Sequence, residues 1–362
     1  MRAGECTLAF VIQFLERLDE EARSLLLAVA RAVSYVKGAQ LVRHGEPARG
    51  GYVLKSGTAE ASVRLPGGET LAVASFGPGA LFGEMALIER GTCTATVAAT
   101  GNVDGWFVER DDFRSLVAQR VPAALRVQHA LTLVLSDKLK ALNARLLEVA
   151  APEDRAFSGE ERRNALAAAK RTRKPPFELL PFLPLLPAFE GFDAADVEEI
   201  CAVSSYLELP RGQPLFVAGD ESVACFVVLR GAVEIRGRHA GRERRIAVLG
   251  PGQLLGHMSL LEQRSHGSAA VVREGALLLE MPRTAFEALY YGASPASSKL
   301  HRAIQKSLLL SLGQTNRHLT RLISLARLRE SLAEAHDLER AYFGQITAEP
   351  FNEATIAQLL SR

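Results

Sequence analysis

Cysteine is scarce in this 362-residue chain: Cys6, Cys93, Cys201 and Cys225, with no CxxC spacing. That excludes a disulfide framework or a cysteine-built zinc site, and it points to free thiols in a cytoplasmic setting. No apolar run approaches the roughly 20 residues needed to cross a bilayer, so membrane insertion is not expected. The N-terminal CTLAFVIQFL follows Arg2 but runs straight into ERLDEEAR with no small-residue cleavage site. It reads as a buried first helix and not as a signal peptide. An excess of one charge is also lacking, since 43 Lys and Arg against 41 Asp and Glu leave +2, which names no partner. Catalytic signatures are missing as well: there is no P-loop, nucleophile elbow, HExxH or kinase set, so no catalytic residue is assigned and no enzyme is expected. The stretch GPGALFG imitates GxGxxG but has no βαβ context around it.

What is present is ordinary globular composition, 48% apolar and 23% charged, at a length fit for two or three domains. An internal repeat at a spacing of about 173 residues gives the organisation. YVKGAQLVRHGEPARGGYVLKSGTAEASV, from Tyr35, pairs with LPRGQPLFVAGDESVACFVVLRGAVEIRG, from Leu209. Gly45 then matches Gly219, Gly57 matches Gly231, and Gly77-Pro78-Gly79 matches Gly250-Pro251-Gly252. Short apolar runs (GYVL, CFVVL), alternating stretches (TAEASV, AVEIRG) and frequent Gly/Pro breaks read as short strands and tight turns, a small β-sandwich or barrel twice over. VDGWFVERDDF and ALLLEMPRTAF read as strand pairs turned by Asp or Glu.

A long helical stretch follows each β unit. In the first, Leu135, Leu139, Leu142, Leu146 and Val149 make an a/d seam, which suits a homodimer or packing within one chain. In the second, Leu300, Ile304, Leu308, Leu312, Leu319, Leu322 and Ala326 share one face. Lys299 to Arg329 holds seven Lys/Arg and no Asp or Glu. A solvated face explains that bias, and a nucleic-acid or acidic partner is the alternative. The boundaries expected are 1–150 and 183–330 for the two units with their helices, 151–182 for a polar and basic linker containing KRTRK, and 331–362 for a helical tail. ITAEPFNEATIAQLLSR looks like the first helix of a helix-turn-helix, with no second helix after it up to Arg362, so a DNA-reading factor of that kind is not expected.

FGEMALIERGTCTATV, from Phe82, closely resembles the phosphate-binding cassette of cyclic-nucleotide-binding domains, as in Crp/Fnr sensor domains and the regulatory subunits of cAMP-dependent protein kinase. GHMSLLEQRSHGSAAV, from Gly256, resembles it less closely. The resemblance implies an α+β fold: two tandem jelly-roll-like β-rolls, each followed by a long C-terminal helix. It also implies a ligand site at Gly83, Glu84, Met85, Ala86, Cys93 and Thr94. In the family a glycine admits the backbone, a short helix start faces the phosphate, a glutamate accepts from a ribose hydroxyl and an arginine pairs with the phosphate. Here Cys93 stands at the arginine position. In the second unit the matching residues are taken as Gly256, His257, Gly267 and Ser268, with His257 for the glutamate and Gly267 for the arginine, and this copy is expected to be inactive.

Losing one member of a buried charge pair costs about 2–5 kcal/mol, roughly tenfold in affinity per 1.4 kcal/mol. Glu84 is expected to face a phosphate with no cation beside it, and Arg90 to stay solvated. Cys93 fits a small residue filling vacated space; a pocket-mouth thiol of lowered pKa is the other reading. His257 and His266 lack further ligands at metal spacing, so no metal is expected, and no cofactor is expected either, a cyclic nucleotide being the one candidate. The reading is a non-enzymatic regulatory or scaffold protein acting through protein–protein contacts, with cAMP or cGMP affinity weakened or lost. One alternative is a small-ligand sensor working through the first unit and its helix; another is a nucleic-acid-associated regulator using the basic helices.

Overall fold

The computed structural model describes residues 14–64, 70–152, 157, 159–174, 181–292 and 294–346, and follows the side chains of the last helix as far as Leu322. Cys6, most of the N-terminal apolar run, the side chain of Ala326 and residues 347–362 lie outside the described residues. The first lobe opens with a 3-10 turn (Phe14–Arg17) and helix α1 (Glu20–Val29), whose N-cap Asp19 accepts from the Ala22 amide at 2.8 Å. Strands β1 (Arg31–Tyr35), β2 (Gln40–Val42), β3 (Gly50–Ser56), β4 (Ala59–Arg64), β5 (Thr70–Phe76) and β6 (Leu81–Phe82) lead to the one-turn helix α2 (Glu84–Ile88). Strands β7 (Thr96–Ala99) and β8 (Val103–Glu109), then helices α3 (Arg110–Ala118) and α4 (Pro122–Val149), complete the lobe.

Two antiparallel four-stranded sheets, ordered β1-β8-β3-β6 and β2-β7-β4-β5, form the roll. Period-two patterning decides which residues face inward: β4 turns Ala59 and Ala61 in and Glu60 out, and Leu41, Leu54, Phe76, Phe82 and Val97 fill the interior. On the outer side α1 and α4 cover Val53 and Val108 with Phe14, Leu26, Leu131 and Val134.

The second lobe repeats this plan. Helix α5 (Gly159–Ala168) and strand β9 (Lys170–Thr172) precede α6 (Ala194–Val203), β10 (Ser205–Leu209), β11 (Pro214–Phe216), β12 (Ala224–His239), β13 (Arg242–Leu249), β14 (Leu254–Leu255), α7 (His257–Leu261), β15 (Ala269–Pro282), α8 (Arg283–Tyr290) and α9 (Pro295–Ile346). Here β12 and β15 run unbroken through what are separate strands in the first lobe, so the sheet is one path, β13-β12-β15-β10-β9. The repeated glycines explain the shared geometry. Gly57 has φ +81°, and a Cβ there would stand 2.0 Å from the Asn102 carbonyl oxygen. Gly231 has φ +83°, with the Gly275 carbonyl oxygen at 2.3 Å. Only glycine fits either turn. The α+β class with two tandem rolls is what the structure shows.

Four expectations differ from the structure. VDGWFVERDDF and ALLLEMPRTAF are not strand pairs: β8 runs directly into α3 and β15 into α8, since Arg110 and Arg283 start helices. Part of the basic stretch between the lobes is also not free linker. Lys170–Thr172 pairs antiparallel with β10, and Arg171 forks onto Glu280 with N···O distances of 2.6 and 3.0 Å.

The leucine seam of α4 is not open to a second copy either. Leu135 and Leu139 enter the second lobe's core beside Leu183, Phe189, Leu300, Ile304 and Leu308. Leu142 and Leu146 meet Leu319 and Ile246, and Val149 alone is exposed. Of the two readings, homodimer or packing within one chain, these residues take the second: α4 packs on α9. Gln305 fixes its register, donating to Thr132 Oγ1 at 3.0 Å and the Gln128 carbonyl at 3.3 Å.

The basic face of α9 is partly consumed in the same way. Lys299 pairs with Asp193 at 3.0 Å and with Asp196, and Lys306 pairs with Glu190.

Candidate functional site

The first-lobe cassette forms one wall of a cavity of about 1090 Å³. Gly83 caps α2 at φ +72°, where a Cβ would meet the Gly50 carbonyl oxygen at 2.9 Å, so the backbone turns into the helix only because the residue is glycine. Glu84 follows, 4% exposed, and its Oε1 lies 2.8 Å from Lys138 Nζ of α4. The expectation of a carboxylate without a cation is therefore overturned. Nothing local in the sequence marks Lys138, because α4 reaches the cassette only through the tertiary fold. Ala86 is buried. Met85 lines the cavity as well, and both Met85 and Ile88 pack onto the second lobe's core.

Cys93 is held by two backbone bonds: its amide donates to the Glu46 carbonyl and its carbonyl accepts from the Gly45 amide, both at 2.8 Å. Burial pushes the thiol pKa up, and Glu46 pushes it further. That is opposite to what a reactive thiolate needs. Thr94 stands exposed at the cavity rim, and Arg90 is exposed with Asp111 3.7 Å away.

Aromatic rings line the interior: Tyr52 stacks on Phe82 at 5.2 Å and donates to the Leu41 carbonyl, and the Arg31 guanidinium lies 5.5 Å over Phe107. Arg43 and Arg49 also line the cavity, Arg43 with Glu46 at 3.6 Å. The remaining wall comes from the other lobe, through Leu312, Gly313 and Asn316 of α9. None of these α9 positions carries a sequence signal beyond general amphipathicity.

The second cassette has a different register from the one read in the sequence. Gly219 donates to the His266 carbonyl, and the His266 amide donates to the Asp220 carbonyl, both at 2.8 Å. This is the bonding frame of Gly45, Cys93 and Glu46. His266 therefore occupies the Cys93 position. Gly267 answers to Thr94 and Ser268 to Ala95, a correction of one residue that the strand pairing repeats: Val42 opposes Val97, and Phe216 opposes Ala270. The ring of His266 stacks on Phe216 at 3.8 Å and 7°, and burial pushes its pKa down to about 4, so it carries no charge near neutrality.

Gly256 caps α7 at φ +79°, as Gly83 caps α2. His257 holds the Glu84 position, is 5% exposed and has no hydrogen-bond partner for either ring nitrogen among the described residues; burial pushes its pKa down to about 4. Helix α5 sits over this region. Arg162 pairs with Asp220 at 3.0 Å, and Leu166 packs on the cluster that contains Phe216. Where the first roll has a cavity at its cassette, the second has the His266 ring flat on Phe216, with Leu166 of α5 packed against the same cluster.

Among the described residues no group of three or more His, Cys, Asp or Glu is placed to hold a metal, and no helix is long and apolar enough to cross a membrane. The family profile described as Cyclic nucleotide-binding domain matches residues 32–120 and 206–291. The cyclic AMP receptor protein of Thermus thermophilus is 38% identical over 96 residues, covering 25% of this chain and 44% of that protein. The cGMP-dependent protein kinase 2 of Rattus norvegicus is 32% identical over 111 residues, 31% of this chain and 14% of that protein. The chain thus spans less than half the length of these curated relatives. Among solved structures, the regulatory domain of Toxoplasma gondii PKA with cAMP aligns over 83% of this chain and 92% of its own, at 17% identity and a TM-score of 0.31. The N-terminal domain of a transcriptional regulator from Streptomyces coelicolor A3(2) aligns over 33% of this chain and 85% of its own, at 27% identity and a TM-score of 0.31. The two matched segments are the two rolls, and both rolls of this chain belong to the cyclic nucleotide-binding domain family.

Proposed function

We propose that the chain is a non-enzymatic, cytoplasmic regulator whose first lobe takes a small nucleotide-like ligand, while its second lobe serves as a structural copy. The observation that carries this reading is the contrast between the two pockets. In the first lobe Glu84 is buried and charge-balanced by Lys138, facing an open cavity partly walled by α9. In the second lobe His266 lies flat on Phe216 beneath α5. Occupancy would reach the rest of the molecule through α2, whose Met85 and Ile88 rest on the second lobe, and through α9. A protein partner would read that movement. Cyclic nucleotides would bind weakly, because no guanidinium stands at Cys93 to pair with the phosphate.

Calorimetric titration of the full chain with cAMP and cGMP, beside Cys93→Arg, tests the reading. Weak wild-type binding that tightens about tenfold or more in the variant is expected, the equivalent of one charge-assisted contact. Low-micromolar cAMP binding by the wild type would remove the argument from the missing arginine. Silence of both proteins would remove the ligand-binding role and leave a scaffold.

A further inference from the structure

A second cavity, of about 410 Å³, opens on the far side of α9 where β13 passes beneath it. Arg245 reaches it from β13, and Arg317, His318 and Arg321 from α9. Among the described residues no carboxylate lines it. Among the described residues neither Arg317 nor Arg321 has an ion-pair partner. The counter-charge nearest Arg245 is Glu234, 4.0 Å away, and that carboxylate is already engaged by Arg236 at 2.7 Å and Arg273 at 3.6 Å. Three arginines thus line one space, and among the described residues only Arg245 has a carboxylate within 4.0 Å, one it shares with Arg236 and Arg273. A bound anion would give all three a shared counter-charge. Beneath them Ile246, Ala247 and Val248 form an apolar floor, with Val248 exposed.

We propose that this groove binds a phosphate-bearing small molecule with two or more negative charges, a phosphomonoester or short oligophosphate. Guanidinium forks match phosphate oxygens in pairs, and Arg317 and Arg321, one turn apart on one helix face, present two such forks beside that of Arg245. The apolar strand would accept the organic part of the molecule. The volume lies at the lower end of small-ligand sites. Duplex nucleic acid fits less well: it draws affinity from many phosphate contacts along an extended basic face, whereas this chain carries a net charge of only +2 and two of the basic residues of α9, Lys299 and Lys306, are already paired within the fold.

The test is calorimetric titration of the full chain with inorganic pyrophosphate, with a short duplex DNA and polyglutamate run in parallel. Three variants accompany it: Arg317→Gln combined with Arg321→Gln, Arg245→Gln, and Arg49→Gln, which alters the first-lobe cavity instead. Glutamine keeps the helix, and these arginines are exposed, so the unfolding temperature should hold. Saturable binding of one pyrophosphate is expected. It should weaken by at least about tenfold in the double variant, weaken also in Arg245→Gln, and stay unchanged in Arg49→Gln. Three outcomes overturn the site: no saturable binding, equal affinity in the double variant, or loss confined to Arg49→Gln. Binding of DNA or polyglutamate without pyrophosphate would overturn it too, by making the groove a macromolecular surface.

Discussion

His257, His266 and His301 are each buried as neutral rings, with pKa values pushed down to about 4 from an ordinary 6.5. His301 is stacked on Tyr290 at 3.7 Å, with its Nε2 2.6 Å from the Tyr290 carbonyl oxygen. Above about pH 6.5 these rings are neutral in the folded and the unfolded chain alike and add no pH dependence. Below that, the unfolded chain takes up protons that the folded chain refuses until about pH 4. Stability therefore falls across this window, by up to a few kcal/mol for a fully buried ring, and stops falling on this account below it. Thermal unfolding followed from pH 7 to pH 4 should show that decline, and His266→Phe, which keeps the stack on Phe216, should make it shallower. An unchanged slope in the variant would place the acid sensitivity elsewhere. Residue identity conveyed only part of this site. Gly83 and Glu84 were readable because the motif requires those residue types. The one-residue offset at His266 was not, since neither His266 nor Gly267 matches an arginine and only the backbone bonds to Gly219 and Asp220 settle the register.

At the scale of elements, the strands were readable and their company was not. Alternation and turn glycines such as Gly57 and Gly231 reveal a roll twice, because steric limits act locally. An apolar helix face, by contrast, says only that it will be covered. By pattern Leu135 and Leu139 suit a second copy equally well, yet they close the second lobe's own core. Likewise β9 is too short and too basic to announce itself; it exists because β10 offers a free edge and Glu280 receives Arg171. Leu135→Ala should destabilise the chain by about 3 kcal/mol, the usual cost of a cavity at a fully buried leucine. Val149→Ala, at an exposed position of the same seam, should be nearly silent. Denaturant titration of the two variants separates a seam closed within the chain from a dimer seam, where Val149 would matter and midpoints would shift with protein concentration.

Over the whole molecule the two lobes share apolar surface and buried polar contacts. Leu135 and Leu139 from the first lobe sit in the second lobe's core, Leu146 and Leu147 meet Ile246 and Leu319, and Thr315 donates to Asn143 at 3.2 Å. Arg244 adds a clasp, donating to the Glu148 carbonyl at the end of α4 at 3.1 Å. Domains joined this way should unfold together. A single calorimetric transition whose heat matches its van't Hoff enthalpy is expected for the full chain, and two resolved transitions would show the interface to be weaker than its burial indicates.

Leu312, Gly313 and Asn316 belong to the second lobe yet wall the first lobe's cavity. Neither copy of the repeat owns that pocket alone. A first lobe transplanted by recombination would arrive without its far wall, and a drift in α9 would alter recognition some 230 residues along the chain from Glu84. The repeat in the sequence therefore does not mark two separable sites, because one pocket draws its walls from both copies.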